Sequence, residues 1–147
     1  MWSRVRTLSV LSLFGLALLA AACGGGDDGG GGGDSSALDG LPPVEDSEYE
    51  DLTGQSEVVI EARDNKFEAK YVIVSPGTKI TFDNKGRNPH NVIPVVKEQF
   101  ESIPADDLQP GDTAMVQFDD AGDYPYYCSL HGTPTAGMDG RIRVADQ

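Results

Sequence analysis

The side chains of this chain that could do chemistry are few, and most lie near its C-terminal end. After residue 54 there is one cysteine, Cys128, and there are two histidines, His90 and His131. Two residues separate Cys128 from His131, and six lie between His131 and Met138. His90 stands apart, after a proline and at the start of an apolar segment. Thiol, imidazole and thioether groups are all metal ligands, so these four residues together indicate a metal site.

One thiolate, two imidazoles and one thioether form the ligand set of a type 1 copper site. In such a site Cys128, His90 and His131 bind in one plane, and Met138 is a weak axial ligand. Sulfur suits Cu(I) and imidazole suits Cu(II), so the set tolerates both oxidation states. Taken singly, Cys128 could be a buried structural cysteine and His131 an ordinary loop histidine. The combination favours metal binding, and we predict one copper ion as the cofactor.

Short β-rich segments separated by turn signals extend from residue 55 to the end of the chain. Several short strands at such spacing predict an all-β sandwich or barrel. One short segment, residues 97–103, is a weak candidate helix. The predicted strands cover residues 58–60, 71–74, 79–82, 91–96, 113–118, 124–128 and 141–144.

Strand alternation assigns faces to the side chains near the predicted ligands. Tyr124 and Tyr126 share the face of Cys128 and should pack inside the domain, whereas Tyr127 should point the other way. Met115 lies in the middle of a predicted strand, between Ala114 and Val116. We therefore interpret Met115 as a packing residue and not as a ligand.

Residues 124–131 (Tyr-Pro-Tyr-Tyr-Cys-Ser-Leu-His) and 137–140 (Gly-Met-Asp-Gly) resemble the copper-binding end of the cupredoxins. Plastocyanin- and halocyanin-like proteins are the nearest members. Residues 88–92 (Asn-Pro-His-Asn-Val) resemble the turn that carries the first histidine of that family. The resemblance covers nearly all of residues 57–145, although the loop before Met138 is longer than is common among plastocyanin-like members. It implies a Greek-key β-sandwich with a type 1 copper site that transfers electrons.

The resemblance also implies roles for residues around the ligands. The backbone N–H of Asn91 is expected to donate to the copper-bound sulfur, and its side chain to contact Ser129. Such contacts orient the ligands and tune the reduction potential of the metal. The alternative is that Asn91 and Ser129 are only turn residues. Tyr127, just before the cysteine, lies on a proposed electron exit route in this family, and a plain surface aromatic is the alternative.

The N-terminus has the pattern of an export signal. Arg4 and Arg6 precede an apolar run over residues 8–22, which at 15 residues falls short of the ~20 that span a bilayer. We predict a signal peptide over residues 1–22. Residues 20–23 (Ala-Ala-Ala-Cys) resemble a bacterial lipobox, with alanine where leucine is usual at position 20. Cys23 is thus expected to carry a lipid, and ordinary cleavage nearby is the alternative.

Residues 23–54 follow as a glycine-rich, acidic segment with nine carboxylates and no Lys or Arg. Such a composition cannot bury enough apolar area to offset chain entropy, so we predict a disordered tether. Residues 55–147 then form the cupredoxin domain. The lipid would anchor the exported protein to the outer face of the cell membrane, in an extracellular or periplasmic location.

The charge balance bears on possible partners. The chain has 24 acidic and 11 basic residues, which makes it a poor candidate for nucleic acid. Residues 55–147 retain 15 acids against 9 bases, so a basic-surfaced redox protein, such as a cytochrome or an oxidase, would be steered to it. We expect the domain to be a monomer with one such protein as donor and another as acceptor.

Three classes of function compete. An electron carrier needs one closed copper site with an accessible ligand edge. An enzyme, such as an oxidase or a nitrite reductase, would need a second metal centre, and both histidines of this chain are already used. A copper module for delivery or sensing usually has an open site rich in Met or Cys. We predict a small electron carrier that is not an enzyme, and we retain copper delivery or sensing as the alternative.

Overall fold

The part of the chain that this computed structural model describes, residues 38–146, contains nine β-strands. Within that range there is no α-helix, and the two 3₁₀ helices span Asp46–Glu48 and Ala105–Asp107. No helix in this part of the chain is long and apolar enough to cross a membrane. The strands are β1 (Glu50–Asp51), β2 (Glu57–Arg63), β3 (Lys66–Phe67), β4 (Tyr71–Val74), β5 (Thr78–Asn84), β6 (Ile93–Pro94), β7 (Thr113–Phe118), β8 (Gly122–Thr133) and β9 (Ala136–Val144).

The strands form two sheets that enclose one core. One sheet has the order β1-β4-β9-β8-β6, and the other has the order β3-β2-β5-β7. β2 pairs with β5 in parallel, as does β4 with β9, so the chain crosses between the sheets instead of folding only into local hairpins. The predicted all-β sandwich is confirmed.

The core follows from the alternation of apolar residues along the strands. In β5, Ile80, Phe82 and Asn84 face inward, while the residues between them are more exposed. Phe82 packs edge-on against Tyr126 of the opposite sheet, with ring centroids 5.3 Å apart. Tyr124 is also buried, as the alternation predicted. This packing gives β8 a rigid base immediately before Cys128.

The structure corrects two details of the sequence interpretation. Met115 is 60% exposed and does not pack in the core, because it lies on the outer face of the edge strand β7. Residues 97–103 are not helical: Glu98 adopts a positive φ of 63°, which interrupts a helix. Ile103 instead forms a bridge with Val92 and is buried against the sandwich.

The structure also differs from the prediction over the last residues of the expected tether. β1 pairs in parallel with β4, and Tyr49 is buried just before it. The Arg143 guanidinium bonds Asp46 at 2.8 Å and lies 4.2 Å from the centroid of the Tyr49 ring. A partner almost a hundred residues away thus binds a segment whose own composition predicts disorder. The predicted signal peptide, Cys23 and the glycine tract lie outside the described residues.

Candidate metal centre

Three potential ligands converge at one end of the sandwich. His90 lies in the loop after β5, whereas Cys128 and His131 lie on β8. The Sγ atom of Cys128 is 3.8 Å from Nδ1 of His90 and 3.5 Å from Nδ1 of His131. One ligand atom from each residue lies within 4.8 Å of the others, so the three residues can share one metal ion. A thiolate with two imidazoles fits copper.

A break in the pairing of β8 with β9 explains how Cys128 and His131 reach the same point. Residues three apart on a regular strand point to opposite faces. The register is regular as far as Tyr127 and resumes only at Gly132, which pairs with Gly137. Irregular pairing of this kind re-aims side chains. The two ligands lie inside the break and can therefore face one metal.

The turn between β8 and β9 depends on glycine. Gly137 has a φ of 85°, which side-chain-bearing residues rarely adopt, and a Cβ there would lie 2.8 Å from the carbonyl oxygen of His131. This close approach of the two strands folds Met138 back into the interior. Met138 is fully buried in the same core cluster as Cys128. Its role as the axial ligand stays a prediction.

Burial gives the site a closed inner side and an accessible outer side. Cys128 and His90 are fully buried, whereas His131 is partly exposed. Burial and then the nearby His131 lower the pKa of His90, while Asp64 opposes this effect. A lowered pKa favours the neutral imidazole, which is the form that binds a metal. His90 is therefore held ready as a ligand inside, and the His131 ring reaches the surface.

Asn91 links the two segments that carry the ligands. Its backbone N–H donates to Cys128 Sγ at 3.5 Å. Its side chain donates to Ser129 Oγ at 3.0 Å and accepts from the Ser129 backbone N–H at 2.9 Å. The structure thus places Asn91 and Ser129 in the contacts that the resemblance implies. Tyr127 lies on the opposite face of β8 and is half-buried.

Asn84 is a residue that the sequence interpretation missed. It is buried at the end of β5, and its side-chain Nδ2 donates to the carbonyls of Asn88 and Leu108, both at 2.9 Å. Its Oδ1 accepts the backbone N–H of Gly86 at 2.9 Å. The Leu108 carbonyl also accepts the backbone N–H of His90 at 3.2 Å. Asn84 therefore ties together the two loops that hold His90. An asparagine at a position that alternation assigns to the core was the available signal.

A two-sheet sandwich with one cysteine and two histidines converging at one end defines a cupredoxin. Residues 55–145 match the model of the copper-binding proteins of the plastocyanin/azurin family, and the chain belongs to that family.

The curated relatives include plastocyanin from Solanum crispum, which is 41% identical over 80 residues, covering 48% of this chain and 79% of that protein. Among solved structures, a reduced mutant of amicyanin aligns with a TM-score of 0.52 at 26% identity, covering 63% of this chain and 85% of that chain. The copper-containing nitrite reductase from Thermus scotoductus aligns with a TM-score of 0.52 at 25% identity, over 62% of this chain and only 23% of that enzyme.

The predicted copper cofactor is confirmed, with His90, Cys128 and His131 positioned as a type 1 copper site. The family and the site together support a type 1 copper electron-transfer protein, as the sequence predicted.

The role of Asn84 can be tested against Thr78, a buried polar residue at the other end of β5 whose hydroxyl donates to the Gln55 carbonyl. Asn84→Leu removes the donor to the carbonyls of Leu108, which is buried, and Asn88, and should lower the free energy of unfolding by about 2–4 kcal/mol. Thr78→Val should cost about 1 kcal/mol. NMR of the copper-free protein should show that the His90 amide hydrogen exchanges with solvent at least roughly tenfold faster in Asn84→Leu than in wild type. Thr78→Val should leave that exchange rate unchanged. Equal exchange in both variants would reduce Asn84 to a general structural role.

Proposed function

We propose that this protein is a small exported electron carrier that exchanges one electron at a time with two redox proteins. The observation that carries this proposal is the closed cluster of Cys128, His90 and His131, of which only His131 reaches the surface. Copper, when bound, supplies a Cu(I)/Cu(II) couple. The protein residues hold that couple in a fixed place and connect it to the outside.

Packing and hydrogen bonds of the domain hold the ligand-bearing segments in place. β8 is fixed by core packing through Tyr126, and the His90 loop is fixed by Asn84. A site whose donors are already in place undergoes little rearrangement when the charge of the metal changes. The donor from the Asn91 backbone restrains the Cys128 sulfur in the same way. Burial of Cys128 and His90 excludes water from the inner side.

The partly exposed ring of His131 offers the shortest contact between the site and a docked partner. Leu130, which precedes His131 in the chain, is 53% exposed and offers an apolar side chain to the same partner. The half-buried Tyr127 is a second possible route, since it directly precedes the Cys128 thiol in the chain. The carrier role needs no substrate pocket and no second metal centre, and we propose that the protein is not an enzyme.

We further propose that the mature domain is a monomer displayed on the outer face of the cell membrane through a lipid on Cys23. The export pattern over residues 1–22 supports this location. Within residues 55–147, the excess of 15 acids over 9 bases favours a basic redox partner. Mass spectrometry of the mature N-terminus tests the anchor: an unmodified N-terminus at another residue would contradict it and leave export intact.

Copper loading tests the carrier function directly. The oxidised wild-type protein should show intense blue or green absorption, because a thiolate bound to copper gives a strong charge-transfer band. Cys128→Ser should abolish the band, while Cys23→Ser should retain it. A colourless copper-loaded wild type would favour delivery or sensing over electron transfer, and a coloured Cys128→Ser variant would remove Cys128 from the ligand set.

Voltammetry tests the proposed axial role of Met138. A thioether favours Cu(I) and an amide oxygen favours Cu(II), so Met138→Gln should lower the reduction potential. Met138→Leu removes the donor and should raise it. Shifts of ~0.1 V would correspond to ~2.3 kcal/mol for one electron. Both variants should remain coloured, because the other three ligands remain.

Met115 provides the matched control for this experiment, since it is exposed on β7, in the sheet that does not carry Cys128, His131 or Met138. Met115→Gln and Met115→Leu should leave the potential unchanged. If the Met138 variants behave in the same way, the axial position is not held by Met138.

A further inference from the structure

A groove of about 670 Å³ opens beside the loop that carries His90. Four basic side chains line it, Arg63, Lys66, Lys85 and Arg87, and we call it the basic groove. They are four of the 9 basic residues in residues 55–147, a region with 15 acids. Two carboxylates, those of Asp64 and Glu68, also line the groove, so its lining carries two more positive than negative groups on a domain that is acidic in total.

Each of these cations has a carboxylate partner, but the cation is the more exposed member of every pair. The side chain of Arg87 is 88% exposed and that of its partner Asp64 is 46% exposed. For Lys85 and Asp83 the values are 49% and 16%. The same order holds for the pairs of Arg63 and Lys66. An approaching partner therefore meets the positive groups first.

The basic groove lies directly beside His90. Gly86 is one of its lining residues, and a Cβ at Gly86 would lie only 3.1 Å from Nε2 of His90. The same Cβ would lie 2.8 Å from the backbone nitrogen of Asp64. The backbone of Gly86 therefore lies between the groove and the imidazole. Nε2 of His90 is buried and has no hydrogen-bond partner among the described residues.

We propose that the basic groove docks the acidic surface of a redox protein and is a second port for electron exchange, through Gly86 and His90. This inference rests on the proposed carrier function. One electron passes between the copper and the partner, with no bond formed or broken and no proton transferred. At physiological salt, charges separated by more than about 8 Å are screened, so the groove acts at contact distance despite the acidic domain around it. An acidic partner would bind the cations of the basic groove, whereas a basic partner would bind carboxylates elsewhere on the domain. The two partners would therefore not compete for the same charged groups.

Oxidation of the copper-loaded, reduced protein by hexacyanoferrate(III) tests the port. Arg87→Glu and Lys66→Glu should each slow this oxidation at low salt by about fivefold or more relative to wild type. Lys97→Glu is the matched control, because it makes the same change in net charge at a 90% exposed side chain outside the groove. Equal rates in the three variants would overturn the proposal. Arg87→Glu also removes the hydrogen bond from Arg87 to Asp64 and could therefore disturb the loop. Lys66→Glu tests the charge of the groove without removing that bond.

The position and the kind of partner are tested on the reduced wild-type protein by NMR. Hexacyanochromate(III), an inert paramagnetic anion, should broaden the amide signals of Asn65 and Gly86 before that of Gly132. Hexaglutamate, which stands in for an acidic protein surface, should shift the same signals and slow the reaction with hexacyanoferrate(III). Broadening centred on Gly132 would overturn the port, and a lack of competition by hexaglutamate would make the groove a small-anion site only.

The two proposals fail in different ways. A copper-loaded protein that has no colour and is not oxidised by hexacyanoferrate(III) contradicts the carrier function itself. A coloured protein that is oxidised at the same rate in all charge variants contradicts the basic groove alone.

Discussion

A thiol and two imidazole nitrogens, two of the three residues fully buried, must be held within a few ångströms of one another by separate pieces of backbone. That requirement explains much of the rest of the structure. Cys128 and His131 come from one strand, and they can face the same point only because β8 loses its register with β9 between them. His90 comes from another loop and needs its own support. The sandwich supplies a base stiff enough for both.

The loop that carries His90 is held in place by a buried polar residue, Asn84. Asn84 takes a position that an apolar side chain could fill, but its amide satisfies two carbonyls and one N–H of the surrounding loops. Because unpaired buried polar groups are costly, this pattern favours one loop arrangement over others. Asn91 acts similarly on the other side, between the His90 loop and β8. The two asparagines thus define the geometry in which the ligands meet.

The charges of the domain are distributed unevenly around the end that carries the ligands. Residues 55–147 are acidic in total, yet four cations line one groove beside Gly86. The partly exposed ring of His131 follows the exposed Leu130 in the chain. A carrier must exchange electrons with two different proteins. Distinct surfaces, one apolar at Leu130 and one lined by cations, would let each partner be recognised by its own chemistry.

The sequence by itself determined the class of the fold and the identity of three ligands. Period-two alternation in segments such as β5 predicts strands whatever they pair with, and the residues around Cys128 and His90 carry a recognisable motif. These signals are local, so they can be read without knowing the contacts. The alternation also predicted the inward face of Tyr126, since that depends only on its distance from Cys128 along the strand.

Only the tertiary structure decided the features that depend on residues distant in sequence. The segment before residue 55 reads as a disordered tether, but Arg143 binds Asp46 and Tyr49, and β4 offers a free edge to β1. The exposure of Met115, by contrast, was readable from the strand itself, since Met115 shares its face of β7 with Thr113 and Gln117. The pairing of Asn84 with Leu108, and the closeness of Gly86 to His90, arise where loops from different strands meet. The local sequence pattern indicates whether a residue prefers a buried or an exposed position, whereas tertiary packing decides which residues it contacts there.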